Sequence, residues 1–161
     1  MSIGKSVRLT LSFKRESDGL PVYFKSDGQR FANPQTIKFQ QDETYNVEIT
    51  VRPVIPIEQF QLQDEKISLE KINKSLDPNA LTYAGIWKTT GFPVTDKNKR
   101  EQLKLTISLW NKGTLTASLQ SKFYEHTETQ HARWGDKLTF VEFECTVSAD
   151  GSLTVLKQII Q

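Results

Sequence analysis

Apolar and polar residues alternate along much of this chain, and this period of two constrains the fold more than any other feature. Three segments display it most clearly, each with an apolar residue at every second position: 7–13, 45–51 and 103–109. Successive side chains of a β-strand point to opposite faces of the sheet. Each segment is therefore predicted to be a half-buried strand, with one face towards the core and the other towards water.

Shorter strand-like segments extend the pattern, and turn signals separate them. The segments are 22–25, 36–40, 82–88, 115–124, 138–147 and 153–160. The clearest turn signals are the pairs Asp18-Gly19, Asp27-Gly28, Lys112-Gly113 and Asp150-Gly151. There is no alternation of strands with helices, which argues against an α/β architecture. The pattern predicts one all-β domain over residues 1–161, an antiparallel β-sandwich or flattened barrel of about nine to ten strands.

One segment, 65–76, fits two kinds of structure. Leu69, Ile72 and Leu76 have the spacing of one helix face, whereas Ile67 and Leu69 fit a strand. Periodicity alone does not distinguish a helix from a strand in a short apolar run. Both alternatives stay open from the residues themselves.

The charge balance argues against nucleic acid as a partner. Lysines and arginines number 21 and acidic residues 19, so the formal net charge is only +2. Stacking of bases on aromatic side chains requires a basic groove, which this balance does not predict. The loop 90–101 contains Lys97, Asn98, Lys99 and Arg100. It is predicted to be a solvated excursion rather than a specific anion site.

Cys145 is the only cysteine, so an internal disulfide is impossible and a reducing compartment is favoured. It lies in the strand-like segment 138–147 and is predicted to be a small buried core residue. The first residues lack the apolar segment of a secretory signal, and Ser2 excludes N-myristoylation. No run approaches the roughly 18 apolar residues of a membrane span. We therefore expect a cytoplasmic protein without a span or lipid anchor of its own.

The motifs of enzymes and metal sites give no strong signal. There is no glycine-rich phosphate loop, no Gly-x-Ser-x-Gly sequence and no His-Glu-x-x-His sequence. His126 and His131, with glutamates close by, leave a metal site as the weaker alternative, because structural zinc usually requires four ligands. The favoured interpretation is a polar loop between strands, with a local hydrogen bond at His131 beside Trp134. We predict no catalytic residue, no bound metal and no cofactor.

Aromatic residues carry more information, and they concentrate in two segments, 21–31 and 122–145. The neighbours Tyr23-Phe24 point to opposite faces of their strand, and the same holds for Phe123-Tyr124. A strand that is apolar on both faces is either covered on both sides or offers one face to a partner. One interpretation is ordinary core packing with a few surface aromatics. The other is a groove or cavity between the sheets, or an exposed patch.

Arg30 and Trp134 add more specific chemistry to these segments. Arg30 follows the turn signal, and it either pairs with a carboxylate such as Asp27 or Glu144 or clamps a carboxylate or phosphate of a partner. Trp134 re-enters a strand after a polar loop and fits a partly buried rim position. The candidate residues for partner binding are Phe24, Arg30, Phe31, Phe123, His131 and Trp134.

Together the two segments resemble the cannabinoid receptor-interacting protein family. The matching positions are 21–25, 27–31, 36–38, Tyr45, Val47, Glu48, 122–124, His131, Trp134, Gly135 and 142–145. The resemblance implies an immunoglobulin-like β-sandwich related to the Rho GDP-dissociation inhibitors and other carriers of lipidated proteins. It also favours a strand in the segment 65–76, followed by a loop through Asp77-Pro78-Asn79.

Members of that family bind the C-terminal tail of the type 1 cannabinoid receptor and restrain its signalling. The resemblance therefore implies a non-enzymatic cytoplasmic regulator, expected to be a monomer that reaches the membrane through its partner. An extended receptor tail would add to a sheet edge. The alternative is a carrier that holds an acyl or prenyl chain of a lipidated partner between its sheets, where each buried methylene contributes about 0.8 kcal/mol. The two functions merge if the bound tail is palmitoylated.

Overall fold

The computed structural model describes residues 6–73 and 77–161, which form thirteen strands and one short helix. In chain order these are β1 (Ser6–Arg15), β2 (Tyr23–Ser26), β3 (Gln35–Gln40), β4 (Thr44–Arg52), β5 (Ile57–Leu62), β6 (Glu65–Lys66), β7 (Leu69–Ile72), β8 (Leu81–Lys88), β9 (Glu101–Leu109), β10 (Gly113–Tyr124), α1 (Thr129–Ala132), β11 (Asp136–Lys137), β12 (Val141–Val147) and β13 (Leu153–Ile160). In this part of the chain no helix has the length and apolar character needed to cross a membrane. The expectations about a secretory signal and N-myristoylation, and the position of Leu76, lie outside the described residues.

The strands form two sheets. The first has six strands in the order β13-β12-β1-β4-β8-β7, and the second has seven in the order β11-β2-β3-β10-β9-β5-β6. The predicted all-β sandwich is confirmed, and over the described residues the sheets do not close into a barrel. One pairing departs from the antiparallel prediction, because β3 and β10 run parallel. The long path from β3 to β10 passes through six other strands, which gives the chain room for such a crossover.

The period of two fills the space between the sheets. In β1 the alternate residues Val7, Leu9, Leu11 and Phe13 are at most 2% exposed. The same alternation buries one face of β4 and of β9, as predicted. Cys145 of β12 lies opposite Val7 and is buried, which confirms the core position expected for it. Burial raises the pKa of its thiol to about 11.

Aromatic rings fill one region of the space between the sheets. They come from both sheets and from the loop after β8: Phe13, Phe39, Tyr45, Trp87, Phe92 and Phe123. The ring centroids of Phe39 and Trp87 lie 5.0 Å apart at 86°, and those of Phe92 and Phe123 stack at 4.7 Å. Such pairs contribute about 0.5–1.5 kcal/mol beyond the burial of their area. Of the adjacent aromatic pairs in the sequence, Phe123 belongs to this cluster, whereas Phe24 is a core residue outside it.

Two parts of the chain differ from what periodicity predicts: the strand β5 and the segment 65–76. The sequence pattern does not predict β5, because a register shift between Ile57 and Gln59 breaks the alternation inside the strand. The segment 65–76 forms β6 and β7 over its described part and no helix. The strand favoured by the family resemblance is therefore confirmed there. These short strands raise the number of strands above the predicted nine to ten.

The turn between β9 and β10 packs directly on the turn between β12 and β13. Gly113 has a φ of +95°, and a Cβ built on it would lie 1.9 Å from the carbonyl oxygen of Gly151. Gly91 has a closely similar φ of +91° but nothing within 4 Å of its own Cβ position. The two glycines therefore separate the strain of a left-handed backbone from the effect of a steric clash.

We predict that Gly113→Ala lowers the free energy of unfolding by about 3 kcal/mol, because backbone strain and the clash add. Gly91→Ala should cost only about 1 kcal/mol, since it adds strain alone. Urea unfolding of the two variants beside the wild type measures both values. Equal losses in the two variants would show that the contact with Gly151 contributes nothing.

Candidate functional site

The two aromatic segments of the sequence lie side by side at one edge of the second sheet. β2 carries part of the first segment and pairs with β3 on one side and with β11 of the second segment on the other. β3 in turn pairs with β10, whose last residues begin the second segment. Four neighbouring strands, β11-β2-β3-β10, therefore bring both segments to one surface.

Alternation along β2 and β10 divides their aromatic residues between two faces. Phe24 and Phe123 belong to the core, where they are 7% and 1% exposed. Tyr23 and Tyr124, their neighbours in sequence, are half-buried on the outer face. Of the six candidate residues, these two phenylalanines thus stabilise the sandwich from inside, and Phe123 also borders a groove on the outer face between Lys122 and Tyr124.

Lysines and aromatic residues share the outer face of these strands. Lys38 of β3 lies opposite Tyr23 of β2 and opposite Lys122 of β10. Lys38 and Lys122 border an open groove of about 540 Å³. The groove is lined by Lys25, Lys38, Val94, Thr95, Lys97, Lys122, Phe123, Tyr124, Glu125, Glu128, His131 and Trp134. The volume of this groove lies within the range of ligand-binding clefts.

Lys38 is the buried member of the groove and is only 4% exposed. Its Nζ donates hydrogen bonds to the backbone carbonyls of His131, at 2.8 Å, and Trp134, at 2.6 Å. The same nitrogen lies 5.4 Å from the centroid of the Trp134 ring and 5.9 Å from that of the Tyr124 ring. An ammonium is attracted to the faces of such rings. Lys38 therefore holds α1 and the turn that follows it against β3.

The groove is positively charged. Burial lowers the pKa of Lys38 to about 8, and the nearby charges of Lys25 and Lys122 act in the same direction. Burial also lowers the pKa of Lys122, helped by the positive charges of Arg100 and Lys25. Among the residues that the structure describes, no carboxylate lies within 4 Å of the amine of Lys38 or Lys122. The carboxylate of Asp27 acts in the opposite direction on both amines, but it does not outweigh burial and the positive charges.

A buried ion pair joins the loop before β9 to the same edge of the sheet. Nη2 of Arg100 lies 3.1 Å from Oδ1 of Asp27, and the two side chains are 5% and 1% exposed. Thr36 donates its hydroxyl to Asp27 and accepts a hydrogen bond from Nε of Arg100 at 3.0 Å. Burial opposes ionisation of Asp27, but these hydrogen bonds and the Arg100 charge hold the pKa of its carboxyl below the ordinary value. The prediction that loop 90–101 is a solvated excursion is therefore wrong at Arg100.

Arg30 pairs with neither carboxylate predicted for it. Asp27 is already engaged in the buried ion pair, and Glu144 lies in β12 of the other sheet. Arg30 instead donates a hydrogen bond to the side-chain amide oxygen of Asn98, and its guanidinium lies 5.3 Å from the centroid of the Phe31 ring. Arg30 is exposed and Phe31 half-buried, at the end of the strand edge next to the ion pair.

The segment between β10 and β11 combines a turn, the four-residue helix and an exposed tryptophan. Nδ1 of His131 lies 3.4 Å from Oε1 of Glu128, and that oxygen also accepts the backbone N–H of His131. The predicted local hydrogen bond at His131 is therefore confirmed. His126 contacts a different partner, the carbonyl oxygen of Gln41, at 3.1 Å. Trp134 is 68% exposed, so it stands further out than the predicted partly buried rim position.

The lysines of the groove were not predicted from the sequence. Lys38 and Lys122 are single lysines in two separate strand-like segments, and the net charge of +2 conceals them. Only the parallel register of β3 and β10 makes them neighbours. The one local signal is their position next to Phe39 and Phe123, because the neighbour of an inward-facing residue points outwards in a strand.

The fold and the groove define an all-β sandwich protein with a basic, aromatic surface, in which the described residues include no cluster suited to a metal ion. Comparison with known families matches residues 3–160 to the family described as CB1 cannabinoid receptor-interacting protein 1. Relatives of that name from Mus musculus and Homo sapiens are 31% and 30% identical to this chain over 148 residues. The match covers 91% of this chain and 90% of each relative. The chain therefore belongs to this family, as the sequence resemblance indicated.

We predict that Arg100→Met lowers the free energy of unfolding by about 3–5 kcal/mol, because it leaves the carboxylate of Asp27 buried without its partner. Adding Asp27→Asn to that variant should recover part of the loss, since the uncompensated charge is gone. Urea unfolding measures both. The control is Arg52→Met, whose ion pair with Asp77 is partly exposed and should cost at most about 1 kcal/mol. Losses of the same size at Arg100 and Arg52 would contradict the account of a buried pair.

The lowered pKa of Lys38 predicts that the stability of the protein depends on pH. Its pKa of about 8 lies below the ordinary value of 10.5, so between these values the unfolded chain binds a proton that the folded chain has lost. The free energy of unfolding contributed by this group therefore rises with pH over that interval. Urea unfolding at about pH 7 and about pH 10 should show the wild type gaining stability relative to Lys38→Met. A constant difference between the two proteins would contradict the lowered pKa.

Proposed function

We propose that this chain is a non-enzymatic cytoplasmic regulator that binds the C-terminal tail of a G-protein-coupled receptor, of the cannabinoid type in its family, and modulates its signalling. One observation carries the proposal: the two segments that bear the family resemblance meet in a single groove of about 540 Å³. The relatives that match this chain over 90% of their length are named for interaction with the CB1 cannabinoid receptor.

The groove offers an extended peptide both side-chain and backbone contacts. Trp134 and His131 stand exposed at its rim, and tryptophan is among the residues that most often dominate binding energy. β11 pairs with Tyr23 and Phe24 only, so the part of β2 beyond Phe24 leaves a short sheet edge beside the groove. An extended tail can add to such an edge through main-chain hydrogen bonds. Arg30 and Phe31 would contact a tail that continues past the end of this strand.

The packing of the core favours a peptide ligand over a lipid chain between the sheets. The ring centroid of Phe39 lies 5.0 Å from that of Trp87, 5.6 Å from that of Phe123 and 5.2 Å from that of Phe13. An acyl or prenyl chain entering this region would have to displace these rings and lose their contacts. The proposal therefore assigns the ligand to the outer groove and leaves the inter-sheet space to the protein's own side chains.

The test is a calorimetric titration of the C-terminal tail peptide of the CB1 cannabinoid receptor into the wild type, Trp134→Ala and Trp110→Ala. Trp110 is a matched control, because it is 57% exposed but lies at the start of the turn after β9, outside the groove. Trp134→Ala should weaken binding about tenfold or more, and Trp110→Ala by less than about twofold. Absence of saturable binding to the wild type, or equal weakening in both variants, would contradict the proposal.

A further inference from the structure

The charges that line the groove are unevenly matched. Four lysines face it, Lys25, Lys38, Lys97 and Lys122, with two glutamates, Glu125 and Glu128. One of the glutamates is held by His131, and Lys25 has a carboxylate of its own 3.7 Å away, at Asp27. Within residues 6–73 and 77–161 the other three lysines have no carboxylate within 4 Å. The groove thus presents three ammonium groups that no carboxylate contacts, and Asp27 offsets the charge of Lys38 and Lys122 only from a longer distance.

The position of Lys38 turns this excess of charge into a directed site. An ammonium has three N–H donors, and two of those of Lys38 are taken by the carbonyls of His131 and Trp134. No acceptor among the described residues takes the third donor, which leaves it for a ligand in the groove. Lys122 lies on the neighbouring strand in direct register, about 5 Å away between strand axes. Its Nζ lies 5.2 Å from the centroid of the Tyr124 ring, which limits the space that the amine can occupy.

We propose that the groove is an oxyanion site, which seats a carboxylate side chain of an acidic tail segment between Lys38 and Lys122 and covers its apolar part with Trp134. The inference rests on the proposed function, because it names the chemical class of the tail segment that binds. Charge-assisted hydrogen bonds to a carboxylate are stronger than neutral ones. A bound carboxylate would also offset the repulsion that Lys122 exerts on Lys38, which together with burial lowers the pKa of Lys38.

The shape of the site favours an acidic peptide over an anionic membrane surface. Lys38 is 4% exposed at the base of a concave groove, so a single inserted side chain reaches it and a flat layer of headgroups does not. Only Val94 and Trp134, 41% and 68% exposed, offer large exposed apolar side chains among the residues described as lining the groove. Stable docking to a bilayer requires a larger apolar face or a second anchor.

The experiment uses the full chain and two synthetic peptides, acetyl-tetraglutamate amide and acetyl-tetraglutamine amide, which differ only in charge. Binding of the glutamate peptide, with the glutamine peptide at least about tenfold weaker, is the expected result in calorimetry. Lys122→Gln should weaken the glutamate peptide about fivefold, as expected for one charge-assisted contact. Lys97→Gln removes another positive charge of the groove and should also weaken binding of the glutamate peptide. Because Lys97 occupies an exposed loop position, this change leaves the sheet unaltered. Lys157→Gln, exposed in β13 outside the groove, is the matched control and should change binding by less than about twofold.

Three outcomes would overturn the inference. The two peptides bind equally well, or Lys157→Gln weakens binding as much as Lys122→Gln, or vesicles with about 30% phosphatidylserine bind through these lysines while the glutamate peptide does not. The receptor-tail titration separates this inference from the proposed function. If the tail binds and the glutamate peptide does not compete with it, the oxyanion site is wrong and tail binding stands. If the glutamate peptide binds the groove and the tail does not, the groove binds carboxylates but the proposed tail binding is wrong.

Discussion

The parallel pairing of β3 with β10 is the contact on which the rest of the surface depends. It sets Phe39 opposite Phe123 and Lys38 opposite Lys122. The inner face thereby gains two aromatic rings with centroids 5.6 Å apart, and the outer face gains two lysines. A slip of one residue would exchange the two faces of a strand. The packing that fixes the register of the core therefore also assembles the groove.

Buried charges hold the walls of the groove, which are loops rather than strands. Lys38 binds two carbonyls of the segment around α1, and Arg100 binds Asp27 from the loop before β9. Removing charges from water is unfavourable unless hydrogen bonds satisfy them. Both charges are satisfied by several partners, so the loops are fixed in place while the lysines of the groove still repel one another. A surface of this kind is stable enough to be preformed, and it gains electrostatically when an anion binds.

How far sequence patterns predicted this protein depended on whether the signal was local. Alternation and the turn glycines predicted the strands of the sandwich, because both act within a few residues. The pattern failed at β5, where a register shift interrupts the alternation. Arg30, close to Asp27 in sequence, was predicted to pair with a carboxylate such as Asp27 or Glu144 or to clamp a partner's anion, yet Arg100 from a distant loop holds Asp27. Long-range pairs of this kind, like that of Lys38 with Lys122, arise from strand order and leave no trace in local spacing. The family resemblance grouped the two aromatic segments as one pattern, whereas periodicity gave no reason to connect them.

Hydrogen–deuterium exchange of the full chain, with and without a saturating amount of the CB1 cannabinoid receptor tail peptide, tests most directly whether the two segments act as one binding surface. The expected result is slower exchange both in β2 and β3 and in the segment from α1 to β11, with little change in β4 and β8 of the other sheet. Exchange in both regions of the protein should slow at the same concentration of the tail peptide, since one groove receives the tail. Protection confined to the first sheet, or to only one of the two segments, would contradict a shared groove.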